Sequence, residues 1–287
     1  MVAREAAAPA AVIPAITPWD IAACLILFVP FVWFGFGLAA RLPSHIALPL
    51  ALLSFYPVFA LPRGIFDWQT FVDMGAIAVA ACALAKRGYD WAALAVLGIS
   101  VDLGFFKNAF PVAGLSSMPK LLFVDVGLYS YLVLLPLEGI GYDFRPRLAD
   151  FRIGLREFAL FTPIAIALGF ALSFLHLHPI FAGPLWFAGA WLFTILFIGI
   201  PEELFFRGLM LNLLERRVGT RPAMLLSSAL FGLAHFNKRA SYFNWRYVIL
   251  AAIAGFFYAR AWRAERRVLA SSITHATVDT VWSIWLR

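Results

Sequence analysis

Charge is what this chain has least of: 14% of its 287 residues are Asp, Glu, Lys or Arg, against 63% hydrophobic, and the mean hydropathy is +0.85. So little charge excludes a water-soluble domain of this size. Cysteine is almost missing as well. Cys24 and Cys82 stand singly in apolar segments with no CxxC spacing, which argues against a disulfide framework or a thiolate metal centre and for two small packing residues. Alternating ten-residue strands are lacking too, which argues against a membrane barrel. The first eighteen residues are rich in Ala and Pro but lack the basic start and unbroken apolar core of a cleavable signal peptide. The expectation is a flexible tail over 1–18 ahead of an uncleaved membrane anchor.

What is present is one apolar block after another, near 21–40, 46–61, 71–85, 91–106, 121–137, 158–175, 185–214, 222–236, 247–260 and 268–286. They predict an all-α protein, a polytopic transmembrane helical bundle of about eight to ten membrane helices, because a crossing needs roughly 20 residues and several blocks are shorter. The net charge of +7 raises the question of a nucleic-acid partner, but the arginines are placed as topology signals. Arg145, Arg147, Arg152 and Arg156, then Arg216, Arg217 and Arg221, then Arg260, Arg263, Arg266 and Arg267 form three clusters, each between apolar blocks as in cytoplasmic loops. The expected surroundings are a lipid bilayer, a bacterial inner membrane by composition, and no nucleic acid. No internal repeat or long polar linker divides the chain, so one membrane domain is expected. Within it, residues 19–140 read as accessory helices and the polar chemistry is concentrated in 141–287. The stretch from Tyr142 to Arg156 is the joint, either an amphipathic helix on an anionic leaflet or a juxtamembrane loop.

Against this apolar background, Glu202, Glu203 and Arg207 stand out in the block that follows Pro201. An ionised group in hydrocarbon costs about 2.5 to 3.5 kcal/mol on insertion scales, so three together need a compensating role. Pro201 is expected to kink or break the helix. A half-helix restarting there would put both glutamates in its first turn, at the positive end of the helix dipole. Glu203 and Arg207 are four residues apart and face each other, whereas Glu202 lies about 100° around the axis on the face of Phe206. Glu202 therefore reads as the acid presented to a cavity, with Glu203 and Arg207 as its support; a purely structural triad is the bland alternative. Two further blocks each carry a histidine. His235 follows Phe231 by four residues in FGLAH, and Asp279 follows His275 by four in HATVD. Measured from the nearest presumed cytoplasmic helix end at about 1.5 Å per residue, Glu202, His235 and His275 lie roughly 18, 20 and 12 Å deep, so they can share one cavity. A glutamate beside a histidine can take a proton from water and deliver the water to a carbonyl. No serine or cysteine stands in a nucleophile motif, and Ser271 and Ser272 read as helix-start residues.

The ordered set EELFFR, FGLAH and HATVD resembles the EExxxR, FxxxH and HxxxN/D motifs of the CAAX prenyl protease type II and bacteriocin-processing family of intramembrane proteases, also called the CPBP or Abi family. The resemblance covers about 155–287, half the chain, and implies a glutamate-dependent endopeptidase acting on a peptide or protein substrate within or at the membrane. It implies Glu202 as the base that activates water, aided by His235, with Glu203 and Arg207 shaping the site and His275 and Asp279 at the oxyanion position. Position 279 is Asp, and an ionised Asp cannot donate to an oxyanion, so it is either protonated or orients and charges His275.

Other readings compete with this one. No cofactor is expected. Zinc ligated by the histidines and carboxylates is the alternative, against which stand the lack of HExxH and the arginine beside the acids. A proton-coupled transporter would use Asp73, Asp102 and Asp125, which otherwise read as caps, interface residues or local hydrogen-bond partners. A non-catalytic peptide-binding immunity protein would need neither both histidines nor the acid pair. His45, His176 and His178 read as loop or interface residues.

Overall fold

The computed structural model describes residues 16–38, 47–112, 115–240 and 242–286. The N-terminal tail up to residue 15, Arg41 and His45 lie outside them. The described residues are helical throughout, with no strand among them. The helices are α1 (Pro18–Gly35), α2 (Ala47–Leu52), α3 (Phe55–Ala60), α4 (Trp68–Lys86), α5 (Asp90–Asp102), α6 (Met118–Tyr129), α7 (Leu148–Ala171), α8 (Pro184–Val218), α9 (Thr220–Leu233), α10 (Trp245–Glu265) and α11 (Val268–Trp285). Several starts are written in the sequence. Thr17 caps α1 by accepting from the Asp20 N–H, Asp67 caps α4 by accepting from the Thr70 N–H, and Asn244 caps α10 by accepting from the Tyr247 N–H, each satisfying a donor that the first turn leaves open.

Four helices, α1, α4, α7 and α8, are long and apolar enough to cross a membrane, and the protein is an integral membrane protein built as a helical bundle. Their outer faces carry exposed Trp19, Leu25, Val72, Leu160 and Leu192, which suits hydrocarbon and not water. α11 has the opposite pattern: Ser271, Ser272, Thr274, His275, Thr277 and Thr280 are all buried along it. It is the polar inner wall of the bundle. α7, α10 and α11 pack on one another, α9 packs along α10, and α8 runs between this group and α5 and α6 on the other side. α7 and α11 approach closely at Gly154, where a Cβ would sit 2.6 Å from Ile273 Cγ2, and the Thr274 hydroxyl donates to the Gly154 carbonyl at 3.1 Å.

The three arginine clusters meet at one end of the bundle. Glu215 binds Arg263 and Arg266, Glu157 binds Arg156 and Arg260, and Arg267 binds Asp143 and Asp150. Two expectations are corrected. The arginine-rich joint is neither a surface helix nor a loop over its second half: residues 148–156 are the first turns of α7, which continues unbroken to Ala171. Pro201 does not break α8. The helix passes through it in two wide π-type stretches, Ile195–Gly199 before it and Leu204–Leu211 after it. The Ile200 N–H reaches back to Ile195 O and the Asn212 N–H to Arg207 O, five residues each. Such wide turns are rare and recur at functional sites. No helix restarts at Pro201, so the glutamates do not have the dipole of a helix start to stabilise them.

Candidate active site

Pro201 and its two wide turns carry the acids in the middle of α8, and the helical offset between neighbours separates their environments. Glu203 is fully buried. Its Oε1 accepts from Arg207 Nη1 at 3.1 Å and faces His275 Nδ1 at 2.8 Å, and its Oε2 accepts from the Ser271 hydroxyl. Both oxygens are thus occupied by α8 and α11. Arg207 is equally buried; its Nη2 donates to Gly255 O at 2.9 Å, and its guanidinium lies 4.5 Å from the Phe231 ring centre and 5.3 Å from that of Tyr258. Gly255 leaves room for this, since a Cβ there would stand 3.1 Å from Arg207 Nη2 and 3.1 Å from Phe231 Cδ1. A buried pair of this kind holds only because nearly every lone pair and N–H is matched.

Glu202 points the other way. Its side chain keeps 18% exposure at the wall of a cavity of about 300 Å³ lined also by Ser100, Asp102, Lys120, His235 and Lys238. Its Oε1 is ion-paired with Lys120 of α6, and its Oε2 lies 3.8 Å from His275 Nε2. His275 therefore stands between the two glutamates, and the same Nε2 is 3.5 Å from Asp279 Oδ2. Tyr258 stacks on the imidazole at 4.6 Å and 17°, fixing its plane. His235 contacts the Phe231 carbonyl through Nδ1 at 2.8 Å. A carbonyl only accepts, so Nδ1 carries the proton and, in the neutral ring, Nε2 keeps the free lone pair.

His235 also lines a second cavity, of about 100 Å³. This one is mostly apolar, walled by Phe161, Phe231, Tyr247 and Trp282, and is lined also by His275 and Asp279. Asp279 keeps 31% side-chain exposure. Among the described residues, no group of three or more His, Cys, Asp or Glu side chains has the geometry to hold a metal ion, and the acids present already bind the cations Arg207 and Lys120.

All six residues singled out from the motifs, Glu202, Glu203, Arg207, His235, His275 and Asp279, come together here. Three participants were not anticipated. Ser271 is not a helix-start residue: α11 begins at Val268, and the Ser271 hydroxyl, one turn in, lies between Glu203 Oε2 and the Tyr258 carbonyl. Asp102, read as a cap or interface residue, lines the Glu202 cavity. Lys120 comes from the half of the chain read as accessory; a lysine at the mouth of an apolar block, in a chain where only four of 23 basic residues are lysine, is the signal that was available. Asp125 is fully buried with neither oxygen hydrogen-bonded, so it is not a local hydrogen-bond partner. Asp73 is exposed on α4, and His176 and His178 are exposed in the segment between α7 and α8.

Residues 184–281 match the family model of the type II CAAX prenyl endopeptidases, Rce1-like. The match runs from the first residue of α8 into α11 and contains all six motif residues, while Lys120 and Asp102 lie outside it. No curated protein and no solved structure matches the chain.

Proposed function

We propose that the cavity beside Glu202 is where this chain hydrolyses a peptide bond of a membrane-associated substrate, with Glu202 as the base, a reading supported by the match of residues 184–281 to the Rce1-like, type II CAAX prenyl endopeptidase family model. The observation that carries this reading is the contrast within the acid pair. Glu203 has both oxygens tied into a sealed network, whereas Glu202 faces a cavity with room for water and peptide, with His235 on the same wall.

The chemistry follows from which atoms are free. A water between Glu202 and His235 gives a proton to the Glu202 carboxylate, with the His235 Nε2 lone pair as a second acceptor that orients it. The water oxygen attacks the carbonyl carbon and the C=O electron pair moves onto oxygen. On collapse that pair re-forms the carbonyl, the C–N bond breaks, and the proton held by Glu202 passes to the leaving nitrogen. His275 is held in place by Glu203 and Tyr258 and lies close enough to Glu202 Oε2 to position it. Asp279, 3.5 Å from the outer nitrogen of His275, orients it. Arg207 pairs with Glu203 without lining the cavity.

The test is a comparison of membrane proteomes between a strain lacking this protein and strains restored with the wild type or Glu202→Ala. Termini produced by the wild type and missing with Glu202→Ala identify the substrates; restoration of every cleavage by the Ala variant removes Glu202 as the base.

A further inference from the structure

Peptide hydrolysis by a glutamate base leaves a question of charge. As water is deprotonated, Glu202 becomes neutral and the negative charge moves to the carbonyl oxygen of the tetrahedral intermediate, which needs a donor with an uncommitted N–H or O–H. The donors around the acid pair are nearly all committed. Arg207 is spent on Glu203 and Gly255 O, deep below the cavity. The Ser271 hydroxyl is held between Glu203 and Tyr258 O. The His235 Nδ1 proton goes to Phe231 O. His275 gives Nδ1 to Glu203, and its Nε2, 3.5 Å from Asp279 and 3.8 Å from Glu202, belongs to a residue that does not line the Glu202 cavity. Asp279, when ionised, accepts only.

Lys120 is different. Its ammonium has three N–H groups, and the partner described for it is Glu202 Oε1. It keeps 24% exposure in the wall of the same cavity. It reaches the cavity from α6.

We propose that Lys120 is a catalytic residue: its ammonium, paired with the Glu202 carboxylate at rest, hydrogen-bonds and stabilises the oxyanion as the charge leaves Glu202. This rests on the reading of Glu202 as base. The balance is complete within the site. The proton goes from water to Glu202, the negative charge goes from Glu202 to the carbonyl oxygen, and Lys120 stays cationic throughout with an anion beside it in both states. On collapse the charge returns to the carboxylate as Glu202 gives its proton to the departing amine. Lysine suits this better than arginine, because its compact ammonium can turn between two neighbouring oxygens, while a guanidinium fork favours one planar partner. Lys238 and Asp102 line the cavity as well, but no described contact ties Lys238 to Glu202.

The test uses the full-length protein in lipid nanodiscs and an internally quenched peptide that the wild type cleaves. Three variants are compared, Lys120→Met, Lys120→Gln and Lys120→Arg, each checked for the wild-type melting temperature. The expected result for Lys120→Met is a fall in kcat of about 100-fold with KM within threefold, the size seen when one oxyanion donor is removed. Arg is expected to keep about a tenth of the wild-type rate and Gln less. The phosphinic analogue of the same peptide, whose tetrahedral anion imitates the intermediate, should bind Lys120→Met more weakly by the factor lost in kcat/KM. The uncleaved peptide should bind Glu202→Gln and the double variant Glu202→Gln/Lys120→Met equally.

An unchanged kcat, a loss confined to KM, or an unaltered phosphinate affinity overturns the proposal. A faster Lys120→Met also overturns it, since that is what a simple latch on Glu202 would give. If Lys120→Met does not fold, the Gln and Arg variants decide by the same criteria. Undiminished cleavage by Glu202→Gln would instead sink the base assignment, and is read separately from the Lys120 series.

Discussion

Glu202 and Glu203 are adjacent in sequence and belong to opposite regions of the molecule. Around Glu203 everything is closed: Arg207, Ser271 and His275 occupy its oxygens, and Gly255 and Tyr258 seal the Arg207 guanidinium behind it. Around Glu202 the wall opens: with its partner Lys120 it stands at the edge of a cavity of about 300 Å³, and the outer nitrogen of His275 lies 3.8 Å from it. One region has the features of a folded core and the other those of a reaction vessel. A rotation of about 100° along a helix is enough to divide them. Two identical side chains thus acquire different duties from their surroundings alone.

Changes on the two sides should therefore fail in different ways. Glu202→Gln is expected to lower kcat by about 10³-fold or more while leaving the melting temperature near that of the wild type; unfolding of this variant would erase the contrast. Glu203→Gln removes the partner of a fully buried guanidinium and should cost about 3 to 5 kcal/mol of stability, seen as lower yield and earlier thermal unfolding in detergent. Replacing Arg207 by Met in that background should return part of the stability and none of the activity, which would mark the pair as a positioning unit. Ser271→Ala takes one donor from Glu203 Oε2 and should cost about 1 to 3 kcal/mol, with a loss of activity no greater than about tenfold. Gly255→Ala pushes on Arg207 and Phe231 at 3.1 Å and is expected to destabilise by about 1 to 3 kcal/mol. The smallest expected effect is that of a chelator: cleavage should continue at an unchanged rate, whereas loss on chelation reversed by added zinc would assign the open region to a metal.

Much of this division was legible in the sequence because it depends on local geometry. The spacing of Glu203 and Arg207 sets their pairing on any helix, and it places Glu202 on the other face without knowledge of the neighbours. The meeting of His235 and His275 with the acids needed only comparable depth in their spans. Contacts between distant segments were not legible. Lys120 lies 82 positions before Glu202, and nothing in either local pattern says that α6 faces α8 at that level. Ser271 looked like a helix start because serine favours that role, and only the position of α10 shows that its hydroxyl is enclosed. The break expected at Pro201 is absent for a related reason. The rule that proline breaks a helix assumes α-type bonding on both sides, and here the backbone widens instead.

That widening has a consequence for how the chain tolerates change in length. A five-residue reach is what an α-helix adopts when it absorbs one extra residue without losing its course. Ile195–Gly199 and Leu204–Leu211 thus act like two phase adjusters bracketing the acids. Deleting one residue from the first would let the backbone return to ordinary pitch with the segments on either side still in phase, and the same holds for one residue of the second. The helix would survive either loss. So would its angular register, whereas a deletion from an ordinary α-type stretch of the same helix would turn one side against the other by about 100°.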